Sequence, residues 1–315
     1  MPASTSLESE NFRMSEIEHA AARRSESLGL LLGLAGVTIF AATLPMTRFA
    51  VGDLGPWFLA AGRAAGAGLL AAVVLAVLRR PVPRAGQMRR IALVALMLVG
   101  GFSALTGLAM QTVPAAHGGV VTGLLPLATV VVAALIGGER PSAAFWICAV
   151  AGTGLVVAFM LRQNAGSPSP GDWLLVAAMA AAALGYALSG RLSREMPGWE
   201  VISWAVLVAL PLSLPLAAWT FPAHPSAVPA SAWLAFAYLA VMSMYLGFFA
   251  WNTGLALGGV ARVSQVQLAQ PFLTIGIAAI LTGEKLEADT MAFAVAIVAV
   301  IFVSRRLGVR AAARG

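Results

Sequence analysis

Polar side chains that could bind a small solute lie inside long apolar runs of this 315-residue chain. Thr122 and Gln267 each stand four residues before a proline, Pro126 and Pro271 respectively. A proline inside a helix removes one backbone hydrogen bond and frees the carbonyl four residues earlier. We therefore expect Thr122, Gln267 and the neighbouring Gln270 to line a cavity, with both prolines as bending points. The alternative is a static kink that a neighbouring hydroxyl heals.

A second set of polar and aromatic residues follows the spacing of one helix face. Tyr238, Met242, Tyr245, Phe249 and Asn252 are separated by 4, 3, 4 and 3 residues. Lipid would not solvate the amide of Asn252, so this face should point inward. We expect Tyr245 and Asn252 to line the same cavity, although an aromatic stripe of this kind can also serve packing alone.

Further candidates stand alone on their helices. Thr43, one turn before Thr47, is expected to line the cavity unless its hydroxyl bonds back to its own helix. Tyr186 and Ser189 fit either a helix-packing pair or a site.

Two arginines lie within apolar runs, where a charge usually has a function. Arg48 is close to a helix end and can extend to the membrane interface, so we expect a structural role. Arg63 lies about 10 Å along its helix at a rise of ~1.5 Å per residue. It could bind a carboxylate of the solute or hold a helix end in place.

The acidic residues, in contrast, avoid the middle of the apolar runs. All 13 occur in the tails, in loops or at helix ends, and Glu139 and Glu284 are expected to cap the helices that follow them. His117 stands at a helix start and is expected to be a polar interfacial residue. The three histidines and the single cysteine have no metal-ligand spacing, so we expect no cofactor. The cavity should suit a neutral or zwitterionic solute with an apolar side chain, such as an aromatic or branched amino acid.

Composition identifies the elements that position these residues. The chain is 60% hydrophobic and 10% charged, with a mean hydropathy of +0.87, whereas soluble domains are roughly 45–50% apolar and about 25% charged. Soluble and disordered classes are thereby excluded. Runs of about 20 apolar residues predict spanning helices, so the fold class is an all-α membrane protein. The ten predicted helices cover approximately residues 28–50, 56–78, 90–111, 116–137, 142–161, 172–190, 200–219, 231–254, 260–281 and 289–304.

The net charge of +7 is explained by orientation in the membrane, and we expect no nucleic-acid partner. If the N-terminus is cytoplasmic, most of the 20 basic residues fall on the cytoplasmic side, as the positive-inside rule requires. We therefore predict a multi-pass protein of the inner (plasma) membrane with both termini cytoplasmic. Residues 1–27 are predicted to form a mobile cytoplasmic tail, and residues 305–315 a basic one.

The chain also repeats itself. Thr-Gly-Leu-Ala at residues 106–109 recurs at residues 253–256, an offset of 147 that becomes 145 after the next loop. The pairs that keep this register are Thr122 with Gln267, Pro126 with Pro271, and Gly138-Glu139-Arg140 with Gly283-Glu284-Lys285. The repeat unit has five helices, 28–161 and 172–304. Because five is odd, the second copy should be inverted, which is typical of transporters with a site between the repeats.

This pattern resembles the EamA-type members of the drug/metabolite transporter superfamily. The resemblance covers about residues 28–304 and includes Pro56 with Arg63 on the second helix, besides the paired prolines and Gly-Glu-basic turns. It implies ten helices in two halves and export of amino acids, other metabolites or drugs across bacterial inner membranes, with the aromatic amino-acid exporters as the nearest type.

Four other functions are weighed against amino-acid export by alternating access. A multidrug carrier would want a buried carboxylate, and a sugar-phosphate or nucleotide-sugar carrier several basic residues in the cavity. A passive channel would work through an open pore. An intramembrane enzyme would need a catalytic motif or a base, and the sequence has neither GxSxG nor HExxH. Without an acid in the path, we expect a facilitator that binds a small molecule within the lipid bilayer, as a monomer or weak oligomer.

Overall fold

A computed structural model describes residues 27–137, 142–163, 166–258 and 263–306, and within these ranges the secondary structure is helical, with no β-strand. The tails before residue 27 and after residue 306, the Gly138-Glu139-Arg140 turn and Arg262 lie outside the described residues. Predictions made for them therefore stay predictions.

Eight helices of the described residues are long and apolar enough to cross a membrane, and two shorter apolar helices follow them. We number them α1 (Ser27–Leu54), α2 (Pro56–Val77), α3 (Ala85–Ala109), α4 (Ala115–Ile136), α5 (Ala143–Gln163), α6 (Pro170–Leu192), α7 (Gly198–Trp219), α8 (Ala230–Leu255), α9 (Val266–Thr282) and α10 (Ala288–Ser304). Each predicted run thus coincides with a helix, and the boundaries differ by a few residues. By these bounds the largest difference is at α9, which begins six residues after the predicted start, and the next is at α3, which begins five residues before it.

Local sequence explains how several helices begin. Gly55 alone separates α1 from α2 and has φ +74°, a conformation that side chains with a Cβ rarely adopt. Pro56 then occupies the first turn of α2, where its missing N–H is not needed. At the start of α6, Ser169 and Asp172 form a capping box in which each side chain accepts the backbone N–H of the other.

Four helices depart from regular α-geometry at corresponding places in the two halves. Residues Ala95–Gly101 of α3 and Tyr238–Leu246 of α8 are π-helical. α4 is interrupted between Thr122 and Leu125, and the first turn of α9 belongs to a 3₁₀ segment, Ser264–Ala269. With the sequence offsets of 147 and 145, these irregularities overlap in register. π-turns of this kind are frequent at functional sites.

Small residues allow close packing of α2 on α7. A Cβ on Gly68 would lie 2.9 Å from the carbonyl oxygen of Val206, so the two backbones meet directly. Such contacts replace the hydrophobic driving force that lipid cannot supply between helices. Two apolar clusters fill the interior, one around Leu59 and Phe159 and the other around Ile91.

Charged side chains mark one end of the bundle, which we call the arginine-rich end. Arg90 donates through both terminal nitrogens to the carboxylate of Glu195, at 2.7 Å each. Arg80 lies 3.4 Å from Glu200 and places its guanidinium over the ring of Trp199. These contacts join the start of α3 to the loop between α6 and α7, and the loop between α2 and α3 to the start of α7.

The other end of the bundle, which we call the opposite end, has its own polar contacts. Arg48 Nη1 donates to the carbonyl oxygen of Met110 at 2.6 Å, which ties α1 to the end of α3. Arg162 Nε donates to Asp289 at 2.7 Å and joins α5 to α10. The contact of Arg48 is the kind of structural role expected for it.

Candidate ligand-binding cavity

A cavity lies where the middle of α1 meets α2, α3, α4, α6, α8 and α9, between the two halves of the chain. It holds about 610 Å³ of empty space, including the part open to solvent. We call it the central cavity. Its lining residues are Phe40, Thr43, Leu44, Arg63, Leu98, Phe102, Thr122, Leu125, Tyr186, Ser243, Met244, Phe248, Gln270 and Thr274.

A smaller space of about 310 Å³, the kink cavity, adjoins it between α4 and α9. Its lining residues are Gly119, Thr122, Gly123, Leu125, Pro126, Gln267, Gln270, Pro271 and Thr274. Four of these residues also line the central cavity, so the two spaces are neighbours along the kinked parts of α4 and α9.

Most of the residues singled out from the sequence meet at these two cavities. Thr43, Arg63, Thr122 and Gln270 line the central cavity, and Gln267 lines the kink cavity. Both predicted bending points, Pro126 and Pro271, also border the kink cavity. The structure therefore brings together five of the seven predicted binding residues with both prolines.

Tyr245 lies outside both cavities because α8 is π-helical there. A π-turn contains more residues than an α-turn, so the α-helical spacing of the aromatic stripe no longer describes one face. Tyr245 is buried, with its hydroxyl 2.9 Å from that of Ser203 on α7. Ser243 and Phe248 face the central cavity instead.

Asn252, the other predicted residue outside the cavities, packs at the start of α7. A Cβ on Gly198 would lie 2.9 Å from the Asn252 side chain, so this amide rests directly on the α7 backbone. Its position explains why a residue too polar for lipid faces inward without reaching the cavity.

Three residue pairs hold the wall of the central cavity by interhelical hydrogen bonds. The hydroxyls of Thr43 and Ser243 are 2.7 Å apart and join α1 to α8. Thr274 donates to the carbonyl oxygen of Ala41 at 2.9 Å and joins α9 to α1. Arg63 bonds Ser103 and joins α2 to α3.

Two glutamines supply polar groups that remain available to a solute. The amides of Gln267 and Gln270 make no hydrogen bond to another described residue. Thr122 donates its hydroxyl to the Gly118 carbonyl of its own helix at 2.7 Å, which leaves the oxygen free to accept.

Aromatic rings form the apolar part of the wall. Phe40 and Phe248 pack edge to face with their centroids 4.9 Å apart, and Tyr186 approaches Phe248 at 6.2 Å. Phe102 completes the aromatic lining. The spacing of Tyr186 fitted either helix packing or a site, and spacing alone carried no signal for Ser243, Phe102 or Phe248.

The effect of the kinks on backbone groups differs from the prediction at α9. The carbonyl of Gln267, expected to be freed by Pro271, accepts the backbone N–H of Gln270 in the 3₁₀ segment. A tighter turn has therefore replaced the hydrogen bond that the proline removes. The Gln267 side chain, rather than its carbonyl, is the polar group at the cavity.

Two glycines set the distance between α4 and α9. A Cβ on Gly119 would lie 2.7 Å from Thr274 Cγ2, and one on Gly123 would lie 3.2 Å from Pro271 Cγ. The glycines are four residues apart and so share one helix face. α4 and α9 consequently cross in direct contact beside the kink cavity.

At the opposite end, the carboxylate of Glu284 contacts the start of α4. Glu284 accepts the backbone N–H groups of Ala115 and Ala116 at 2.8 Å each. It was expected to cap α10, the helix that follows it, and this was wrong: it caps α4, because the turn after α9 ends beside that helix.

The same end contains a buried, hydrogen-bonded pair of titratable side chains. His117 Nε2 lies 2.5 Å from Asp172 Oδ1, and the two residues are 7% and 0% exposed. The expectation of an interfacial histidine was therefore wrong. Its ring also packs on Phe159 at 4.6 Å. Among the described residues, no group of three or more histidine, cysteine, aspartate or glutamate side chains could hold a metal ion.

Comparison with known proteins places these features in context. The model of the EamA-like transporter family matches residues 27–161 and 169–306. An uncharacterized transporter, YdeK of Bacillus subtilis, is 43% identical over 278 residues, which cover 88% of this chain and 97% of that protein. The aromatic amino acid exporter YddG of Ancylobacter novellus is 29% identical over 268 residues, covering 79% and 87% respectively.

A solved crystal structure has a similar fold. The TM-score is 0.61 at 21% sequence identity, and the match covers 89% of this chain and 99% of that one. At this identity the likeness concerns the fold alone.

Proposed function

Because the chain belongs to the EamA-like transporter family, we propose that it exports small amphipathic metabolites across the inner membrane. Neutral amino acids, aromatic ones in particular, are the main candidates. The relative YddG, an aromatic amino acid exporter, points the same way. The protein would work by alternating access, with the central cavity exposed to one side of the membrane at a time.

The observation that carries this proposal is the position of the central cavity. It lies between the two halves, beside helices that are irregular at repeat-related positions in both. Its wall combines three phenylalanines with the polar groups of Thr43, Thr122 and Gln270. Such a wall suits a solute with an aromatic body and a polar end.

We further propose ten membrane-spanning helices in two inverted five-helix repeats, with the arginine-rich end in the cytoplasm. The clustering of arginines at one end supports this orientation by the positive-inside rule. Opening to the outside would then require the contacts of Glu284 and of the His117–Asp172 pair to break. Pro126 and Pro271 are the proposed bending points for that change, because a proline weakens the helix where it lies.

The proposed energy source is the gradient of the solute itself. No carboxylate occurs among the described residues that line either cavity, and the His117–Asp172 pair lies outside both, at the opposite end. A proton-coupled carrier usually keeps a titratable group in its path. Transport should therefore be facilitated diffusion, by a monomer or weak oligomer.

The test is uptake of labelled phenylalanine, tryptophan and leucine into liposomes that contain the purified protein, with and without a pH gradient. Saturable uptake that the pH gradient does not change would support the proposal. Gln267→Ala should abolish or strongly reduce uptake, since it removes a free amide of the kink cavity. Gln111→Ala is the matched control, because Gln111 is exposed and lines neither cavity.

Each part of the proposal can fail separately. Uptake of none of the three amino acids would contradict the substrate assignment and direct the search to drugs and phosphorylated sugars. Uptake that rises steeply with an imposed pH gradient would contradict facilitated diffusion. Uptake that does not saturate would favour a channel.

A further inference from the structure

Arg63 is a buried cation of the central cavity without an acidic partner among the described residues. Its side chain is 3% exposed, and both Nε and Nη2 donate to the hydroxyl of Ser103, at 3.0 and 2.6 Å. A hydroxyl is neutral and leaves the positive charge uncompensated. Burying such a charge is costly unless an anion pairs with it.

Part of the guanidinium remains available on the cavity side. Nη1 donates to no described residue, yet it is not sealed off. Among the described residues, the fully buried side-chain atoms without a hydrogen-bond partner are Trp204 Nε1 and Ser213 Oγ. Nη1 of Arg63 is not one of them, so it is not fully buried. Arg63 belongs to the cavity wall together with Tyr186, Phe102 and Phe248. A carboxylate placed there would meet an N–H donor of Arg63, and the aromatic rings would contact an apolar body beside it.

We propose that Arg63 binds the carboxylate of the transported solute, and that the central cavity selects small monocarboxylates with an apolar or aromatic body. An α-amino group is then tolerated but not required. This deepens the proposed function, on which it rests, by naming the group that is recognised. The carboxylate both offsets the buried charge and receives charge-assisted hydrogen bonds, which are stronger than neutral ones.

The charges of the lining residues are the reason for proposing monocarboxylates as the class of solute. The described wall of the two cavities contains one guanidinium and no carboxylate. A phosphate dianion would leave a net negative charge buried, and an amine without a carboxylate would place a second positive charge beside Arg63. For the ammonium group of an amino acid, the free amide oxygens of Gln270 and Gln267 are neutral acceptors.

Equilibrium binding to the purified protein tests this selection with ligands of one skeleton. The ligands are 3-phenylpropionate, 3-phenylpropan-1-ol and 3-phenylpropylamine, which share ring and chain length and differ in charge. We expect the acid to bind about 10-fold more tightly than the alcohol, as one charge-assisted contact predicts, and the amine to bind most weakly. Equal binding of acid and alcohol, or no binding of any of the three, would overturn the proposal.

Variants separate recognition of the carboxylate from a structural role of Arg63. In Arg63→Gln the acid should lose its advantage, with a ratio of the two dissociation constants near one, while the alcohol still binds. Arg63→Lys should keep a preference for the acid, because it keeps the cation. Ser103→Ala is the control, since it removes the structural contact and leaves the charge; it should keep the preference. If Arg63→Gln does not fold, binding of the three ligands to the native protein and to Arg63→Lys tests the proposal instead.

Failure of this inference differs from failure of the proposed function. A protein that prefers the acid but transports no amino acid keeps its carboxylate site and loses the transport assignment. A protein that transports phenylalanine equally well with Arg63→Gln, and shows no preference for the acid, is a transporter whose Arg63 serves packing.

Discussion

Gly119 of α4 and Thr274 of α9 meet so closely that a Cβ on the glycine would lie 2.7 Å from Thr274 Cγ2. The threonine cannot easily move away, because its hydroxyl donates to the carbonyl oxygen of Ala41. The crossing of the two kinked helices therefore depends on the missing side chain at residue 119.

Substitution of Gly119 by alanine should destabilise the protein. The added methyl group overpacks the crossing, which typically costs about 1–3 kcal/mol. Thermal unfolding in detergent should show a lower midpoint for Gly119→Ala. Gly276→Ala is the matched control on α9, since a Cβ there meets open space. Equal midpoints for the native protein and Gly119→Ala would show that the crossing is loose.

Substitution of Glu284 by glutamine should loosen the opposite end. The two carboxylate oxygens accept the N–H groups of Ala115 and Ala116, and an amide offers one acceptor instead of two. Loss of a helix cap costs about 1 kcal/mol. The measurement is thiol labelling of Val113→Cys, a buried position beside Gly171, in a Cys148→Ala background.

Labelling of that cysteine should be faster with Glu284→Gln than without it. Glu287→Gln is the control, because Glu287 is exposed and its carboxylate accepts from the side chain of Gln163 and from no backbone N–H of the described residues. Unchanged labelling with Glu284→Gln would mean that the cap does not hold this end closed.

The buried pair of His117 and Asp172 should be energetically coupled. Asp172→Asn and His117→Ala should each lower the free energy of unfolding, by about 1–3 kcal/mol, because each leaves a buried polar group with a poorer partner. Once one partner is replaced, replacing the other should cost less, so the double variant should lose less than the sum. Additive losses in a double-mutant cycle would contradict a direct interaction. Ser169→Ala serves as the control for the capping box alone.

The ion pair of Glu195 with Arg90 should make stability depend on pH in the acidic range. Hydrogen bonds from Arg90 and Gln87 lower the pKa of the Glu195 carboxyl. Its stabilising contribution is therefore present above the unfolded pKa of about 4.3 and is lost as pH falls through the lowered folded value. The unfolding midpoints of the native protein and Glu195→Gln should differ near neutral pH and converge once the pH has fallen below the lowered folded pKa. A difference that persists there would contradict this explanation.

Two neighbouring residues of α8 should respond differently to loss of a hydroxyl. Tyr245→Phe removes a bond to Ser203 away from the cavities, so it should lower stability by about 1 kcal/mol and leave the transport KM unchanged. Ser243→Ala alters the wall of the central cavity and frees Thr43, so it should change KM. The measurement is KM in a liposome uptake assay. If Tyr245→Phe changes KM and Ser243→Ala does not, the cavity is lined by the α8 face that the aromatic stripe predicted.

The helices and the kinked region could be predicted from sequence because a segment that spans a bilayer can adopt few backbone structures. A spanning segment needs about 20 apolar residues, and its backbone groups must pair within the helix. Because a proline interrupts this pairing, Pro126 and Pro271 can be recognised in the sequence as kinks. Polar residues close to them, such as Gln267, can be recognised as candidates for a cavity wall. Each of these signals is local, and most of the residues that they marked line the two cavities.

The parts that only the tertiary structure decided depend on contacts between distant residues or on a change of helix type. The π-helical segment of α8 turns Ser243 toward the cavity and Tyr245 away, which no α-helical spacing predicts. Glu284 caps a helix start 169 residues earlier in the chain, and Arg63 meets Ser103 across two helices. A helix bears its own periodicity in its sequence, but which neighbour each face meets is set by the packing of the whole bundle.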